Sequence, residues 1–354
     1  MSATLQALGL DGSTADVLLS FPDLVPGRVS RVDKGLATVL TEDGPVRATW
    51  SGALLAAIAA DPQAGPCTGD WVVLRFWPDE RITLESVLPR RTTIVRAEVG
   101  GSSRGQVLAA NVDVIAIVIG LVPEPRIGRI ERFLALAWES GARPVVVLTK
   151  SDLVGDADSI ADDVAVAAPG ADVLVCSAST GFGLESVRAL LDGNATVALL
   201  GSSGAGKSSL VNALAGVELL DVQAIREDGK GRHTSVRREL IVLPSGGVVI
   251  DTPGLRGIGL QESGEGLAAA FPDVTALADL CKFKDCSHVT EPGCAVRAGL
   301  DDGTLPYRRY ESWVKLQKEA AYMARRADAR LRSEMKKEWV RTSKSYRRDH
   351  KPRP

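Results

Sequence analysis

The sequence predicts a multidomain chain: an N-terminal β-barrel of oligonucleotide-binding type, a central α/β domain with a mostly parallel sheet, and a C-terminal helical domain around a metal-ligand cluster. Three observations lead there. Five short alternating apolar runs crowd residues 27–87. Near-continuous Val and Ile runs then alternate with helical patterns from about residue 111 to 250. Three cysteines and a histidine fall between 281 and 294. A chain of 354 residues is long enough for several buried cores. The expected divisions are 1–22 for an N-terminal extension, 23–95 for the barrel, 96–262 for the α/β domain and 263–354 for the metal-binding and basic helical domain.

Composition frames this reading. Apolar content of 45% and charged content of 24% are those of an ordinary globular protein. No window approaches the roughly 18 apolar residues of a membrane span. The start also lacks the basic-then-apolar order of a secretion signal, so a cytoplasmic protein without membrane contact is expected. Five cysteines, three of them crowded together, argue against a disulfide framework. The net charge of -2 conceals an asymmetry: residues 305–354 hold 16 Lys and Arg against 6 Asp and Glu, whereas residues 1–304 hold 26 against 38. A basic tail of that kind is either a solvated helix face or a surface for a polyphosphate backbone.

The barrel strands are expected at Arg28 to Val32, Leu36 to Leu40, Val46 to Trp50, Trp71 to Phe76 and Ile82 to Val87, with turn residues around Gly44, Pro45 and Pro78 between them. The α/β part follows as strand Val112 to Leu121, helix Arg129 to Ser140, strand Pro144 to Leu148 and helix Ile160 to Ala168. Next come strand Asp172 to Cys176, helix Leu184 to Leu191, strand Thr196 to Leu200 and helix Lys207 to Ala215. A hairpin of Leu240 to Leu243 with Val248 to Ile250 closes the series. Apolar runs separated by helices imply a parallel sheet covered on both faces.

Gly201, Ser202, Ser203, Gly204, Ala205, Gly206, Lys207 and Ser208, then Ser209, follow a strand and open a helix. This is the P-loop pattern in the context it requires. Its glycines let backbone amides turn onto phosphates, Lys207 reaches the β and γ oxygens, and the Ser208 hydroxyl ligates magnesium. Asp251 ends the strand before Thr252, Pro253 and Gly254. An acid there can hold magnesium through water, and Gly254 can present its amide to a γ-phosphate. The loop alone does not separate ATP from GTP. Thr149, Lys150, Ser151 and Asp152 do, because a carboxylate accepts two hydrogen bonds from guanine N1 and N2 that adenine cannot offer. Lys150 can lie along the base, and the amide of Ala178, after Ser177, can meet O6.

Together these segments resemble the translation-factor-related GTPases in a rotated order. Base-binding residues come first, the P-loop next and the magnesium acid last. A parallel sheet tolerates such circular permutation because its ligand site gathers loops from the carboxyl ends of strands. The polar stretch Asp228 to Ser235 then resembles a switch I segment, in which Thr234 would complete the magnesium shell. Many such GTPases place a water-orienting glutamine four residues after the acid, where this chain has Leu255. His233 is the candidate for positioning or deprotonating the attacking water.

Cys281, Cys286, His288 and Cys294 supply the number and type of ligand for a closed tetrahedral zinc site, one structural ion per chain. The spacing of four, one and five intervening residues departs from the common two-residue knuckle. Permuted GTPase segments between a barrel and such a module are similar to the RsgA (YjeQ) family of small-subunit biogenesis GTPases, over roughly residues 25–345. Thr149 departs from the commoner Asn of GTPases, which would loosen base contact, and Ser235 from a frequent second Thr. The resemblance implies a monomeric enzyme that binds GTP and GDP with magnesium, contacts the small ribosomal subunit and its rRNA, and hydrolyses GTP faster there. Two other readings stay open: a P-loop ATPase, and a zinc and barrel RNA-binding protein with a regulatory nucleotide switch.

Overall fold

The computed structural model describes residues 4–96, 105–220, 238–251, 264–323 and 333. The N-terminal extension holds α1 (Gly12–Leu18), started by Asp11, whose carboxylate accepts from the Thr14 amide. Five strands follow: β1 (Val25–Asp33), β2 (Leu36–Thr41), β3 (Gly44–Trp50), β4 (Trp71–Phe76) and β5 (Ile82–Val87). They close into a barrel in the order β1-β2-β3-β5-β4. Alternation along each strand turns Val29, Val39, Ala48, Val72, Leu74 and Leu84 inward, and α2 (Gly52–Ala60) adds Leu54 to this core. The outward Trp71 and Val73 of β4 are covered by Leu5 and Leu8 of the extension.

One buried cation ties three segments. Arg28 of β1 donates to the carbonyls of Gly69 (3.2 Å), Leu8 and Asn111 (2.9 Å), and its guanidinium lies 5.3 Å from the Trp71 ring centre. Burial lowers its pKa to about 10, so the group stays charged at neutral pH and needs these acceptors. The extension, barrel and α/β part therefore meet at one side chain.

After a short antiparallel pair, β6 (Thr93–Arg96) and β7 (Gln106–Ala110), come six strands: β8 (Val114–Gly120), β9 (Arg143–Thr149), β10 (Asp172–Val175), β11 (Thr196–Leu200), β12 (Glu239–Val242) and β13 (Val248–Asp251). They form one sheet in the order β10-β9-β8-β11-β13-β12, with only β12 antiparallel to its neighbour. One face packs on α3 (Ile127–Glu139) and α4 (Ala157–Ala167), the other on α5 (Leu184–Arg188) and α6 (Lys207–Ala215). Strand order is non-sequential, so the carboxyl ends of β8, β9 and β11 sit side by side, which is where such sheets bind ligands.

The C-terminal part, α7 (Glu265–Ala270), α8 (Pro272–Asp279), α9 (Ala295–Asp301) and a helix α10 over 307–323, clasps α3. A Cβ on Gly266 would stand 2.3 Å from the Ala135 carbonyl oxygen, so only glycine permits this approach. The fully buried Glu131 of α3 accepts from Arg309 (2.9 Å) and Arg308 (3.1 Å). Arg309 also pairs with Asp273 (2.7 Å), and its guanidinium lies 4.3 Å from the Phe271 ring centre. Beyond them Arg132 meets Glu319 at 2.6 Å. A buried carboxylate without its arginine would be an uncompensated charge, so this network fixes the C-terminal helices on α3.

Departures from the sequence reading are local. The helix expected over Leu184 to Leu191 stops at Arg188, and the chain tightens into a 3-10 turn broken at Asp192 and Gly193, whose φ is 69°. The helix α2 went unforeseen because its sequence, GALLAAIAA, has no polar stripe to give a period. The pair β6–β7 escaped because a four-residue strand carries almost no pattern. Among the described residues no helix is long and apolar enough to cross a membrane.

Candidate functional site

Strand β11 is buried along its whole length between β8 and β13, and it delivers Gly201 to the carboxyl edge of the sheet. A Cβ at Gly201 would stand 2.3 Å from the Val118 carbonyl oxygen. Gly206 turns the chain at φ 91° into α6. No side chain caps α6, so its first amides are free for an anion. Lys207 folds back over the loop, its Nζ donating to the carbonyls of Gly201 (2.9 Å) and Ser202 (3.1 Å). Ser208 and Ser209 follow, half-buried, on the first turn of α6.

Asp251 stands at the tip of β13, opposite Leu199 in register. It is 6% exposed, and its Oδ1 has no hydrogen-bond partner among the described residues. Burial raises its pKa, while the Lys207 ammonium pulls it down. Burial likewise lowers that of Lys207, against the pull of Asp251. A buried carboxylate oxygen without a donor suits a hard divalent cation, held directly or through water, so the residues present fit magnesium.

The segment Thr149 to Asp152 lies beside this loop. Thr149, at the end of β9 and 2% exposed, donates its hydroxyl to the Ala205 carbonyl at 2.6 Å. Lys150 adopts φ 64° and stretches past Gly120, with Nζ 3.5 Å from the Val122 carbonyl. Asp152 is exposed and accepts from the Ser177 hydroxyl at 2.6 Å. Bonds from Ser177 and then Ser179 hold its pKa below the usual carboxylate range. The Ser151 amide donates to Cys176 (3.3 Å), bringing the segment against Ser177 and Ala178.

The structure therefore brings together Thr149, Lys150, Asp152, Ser177, Ala178, the loop 201–209 and Asp251. His233, Thr234, Gly254 and Leu255 lie outside the described residues, as does most of the basic tail. Two contributions were not legible beforehand. Thr149 braces the phosphate loop instead of merely standing in for Asn, and Ser179 shares the Ser177 hydroxyl at 2.9 Å. Changing Thr149 to Val keeps the shape and strands the Ala205 carbonyl. The expected outcome is a loss of about 1–3 kcal/mol, read as nucleotide affinity roughly tenfold weaker in calorimetry.

The metal-ligand cluster is a separate centre. One ligand atom from each of Cys281, Cys286, His288 and Cys294 lies within 4.8 Å of every other. His288 Nδ1 is 3.5 Å from Cys281 Sγ and 3.4 Å from Cys294 Sγ, and a left-handed backbone at φ 59° turns His288 inward. Three thiols and one imidazole in a closed group can hold a metal ion, and this donor set fits zinc.

Against known proteins, residues 87–261 match a family described as RsgA GTPase. The Small ribosomal subunit biogenesis GTPase RsgA of Streptomyces coelicolor is 49% identical over 345 residues, 96% of this chain and 93% of that protein. Its counterpart in Opitutus terrae is 44% identical over 359 residues, 97% of each. Among solved structures, YjeQ from Thermotoga maritima superposes with a TM-score of 0.63 at 26% identity, covering 84% of this chain and 99% of that one. YloQ, a circularly permuted GTPase, gives 0.57 at 27% identity, covering 84% and 95%.

Proposed function

Since the chain belongs to the RsgA family of circularly permuted GTPases, we propose that it hydrolyses GTP while bound to the small ribosomal subunit, late in that particle's assembly, and leaves as the GDP form. The observation that supports a working site is the bond from Thr149 to Ala205. It joins the base-binding segment to the phosphate loop although 56 positions separate them. In this reading Asp152 selects guanine, with Lys150 along the base and Ala178 at O6. Residues 201–209 cradle the phosphates with Lys207, and Gly254 meets the γ-phosphate. Ser208, Thr234 and Asp251 hold magnesium, which supplies charge neutralisation on the phosphates when bound. His233 positions the attacking water. Cys281, Cys286, His288 and Cys294 hold one structural zinc ion.

The partners in this reading are the small subunit and its rRNA, met by a cytoplasmic monomer. Relatives up to 49% identical carry the name small ribosomal subunit biogenesis GTPase, which supports that partner. A site with Leu255 where a glutamine is common hydrolyses slowly until a partner orders it. Turnover measured with and without purified small subunits is expected to rise about tenfold or more on their addition. Equal rates would refute the ribosome assignment. GTP and GDP, but not ATP, should displace a bound labelled guanine nucleotide, because only guanine offers two donors to Asp152.

A further inference from the structure

Beside the phosphate loop lies a cavity of about 230 Å³, walled by Ser202 to Ala205 on one side and by the segment leading from β8 into α3 on the other. Arg126 and Arg129 line it. Arg126 immediately precedes α3 in an extended conformation and Arg129 stands in its first turn, and both side chains meet the same cavity. Both are exposed, and neither has an ion-pair or hydrogen-bond partner for its guanidinium among the described residues. This sets them apart from their neighbours. Arg132, Arg143 and Arg188 each sit against a carboxylate, at 2.6, 3.7 and 3.0 Å. The acid on the cavity wall, Glu124, forms an ion pair with neither arginine. In a chain whose first 304 residues carry 38 acids against 26 bases, two uncommitted guanidiniums at one cavity are a local exception.

Resting on the function proposed above, we infer that Arg126 and Arg129 form a docking site for backbone phosphate of the partner's RNA, beside the phosphate loop. Guanidinium presents forked donors that match a phosphodiester, and an exposed pair accessible from solvent can meet a macromolecule. The nucleotide's own phosphates already have the α6 amides and Lys207. Docking here touches two things at once. The cavity wall is the loop that holds the nucleotide, and one turn further along α3 stand Glu131 and Arg132, which grip the C-terminal helices. RNA bound at the start of α3 thereby stiffens the loop and the attachment of the C-terminal part together.

The test is the double variant Arg126→Gln with Arg129→Gln in the full chain. Without subunits, GTP turnover and GDP affinity should stay within about twofold of wild type. The half-saturating concentration of small subunits should rise about tenfold, and protein-free small-subunit rRNA should bind correspondingly less well. The slope of log affinity against log salt should fall by about 2, one per lost phosphate contact. The pair Arg126→Lys with Arg129→Lys should recover most of that slope, since it keeps the charge. Unchanged rRNA affinity and salt slope would overturn the inference. Weaker GDP binding without subunits would overturn it too, by assigning the arginines to the nucleotide. A loss with subunits but none with free rRNA would mean a protein face and would equally overturn it. If subunits fail to stimulate the wild type, the ribosome assignment falls, while the rRNA measurement still decides the role of the arginines.

Discussion

Replacing Lys207 with Ala is expected to lower GTP turnover by about a thousandfold, the scale seen when one preorganised charge is removed from a phosphoryl or acyl transition state. The reason lies in where the ammonium is held. Its Nζ bonds the Gly201 and Ser202 carbonyls, so it is already over the loop that will carry the phosphates. Burial disfavours its charge and Asp251 favours it, so the two groups sustain each other in a partly dry site. Charge fixed in such a place stabilises the developing negative charge without reorganisation at the moment of reaction. The alanine variant also leaves the Asp251 carboxylate without its cation. Lys207→Arg separates charge from geometry: its planar fork cannot sit where a single ammonium bridges two carbonyls, so it should rescue less than a tenth of the lost rate. Single-turnover hydrolysis with nucleotide in excess over its dissociation constant reads the chemical step. A rate within tenfold of wild type would remove Lys207 from the phosphate-binding role.

The same residues show what a sequence can and cannot disclose. The phosphate loop, Asp152 and the cysteine cluster were legible because each needs particular residue types at fixed spacing, and because the strands that deliver them are uninterrupted apolar runs such as Val114–Gly120. The five barrel strands were legible through their period of two, and the structure extends them only at their ends, as in β1 and β3. Contacts between distant segments had no local signal. Nothing around Thr149 announces that its hydroxyl will meet Ala205, and nothing around Arg28 announces a buried cation shared by Leu8, Gly69 and Asn111. Glu131 reads as one more polar position on an amphipathic helix, yet it is fully buried because Arg308 and Arg309 arrive from almost 180 positions away. Periodicity reports which face is apolar. It does not report which charge a distant helix will bring.

Withdrawing metal from the cluster is the second large effect expected, because a structural zinc site contributes on the order of 10 kcal/mol of apparent binding free energy to the fold around it. Few other forces hold residues 281–294. That stretch has turns but no regular helix or strand; the Glu291 carboxylate accepts from the Ser287, Val289 and Thr290 amides, the Lys282 amide donates to the Gly293 carbonyl, and other contacts run through the ligands. Cys294 Sγ accepts from the Arg297 amide and so caps α9, and the His288 carbonyl accepts from the Tyr310 hydroxyl. Loss of the ion leaves the four side chains with one another and two weak backbone bonds, Cys281 Sγ to the Leu277 carbonyl and the Arg297 amide to Cys294 Sγ. The neighbouring Trp313, whose ring centre is 5.6 Å from that of His288, should then report the change by fluorescence. The attachment of α10 to α3 limits the damage, since the pairs of Arg309 with Glu131 and Asp273 do not involve the cluster. A strong chelator, or Cys294→Ser, is therefore expected to release one ion per chain by mass spectrometry and to split thermal unfolding into two steps. The first step belongs to the C-terminal part, and GDP affinity should stay within about threefold because the ligands lie between α8 and α9 whereas the phosphate loop is carried by β11 and α6 of the sheet domain. A single unshifted transition with no ion released would show that the four ligands are not a structural metal site. Simultaneous loss of GDP binding would instead show that α3 transmits the state of the module to the phosphate loop.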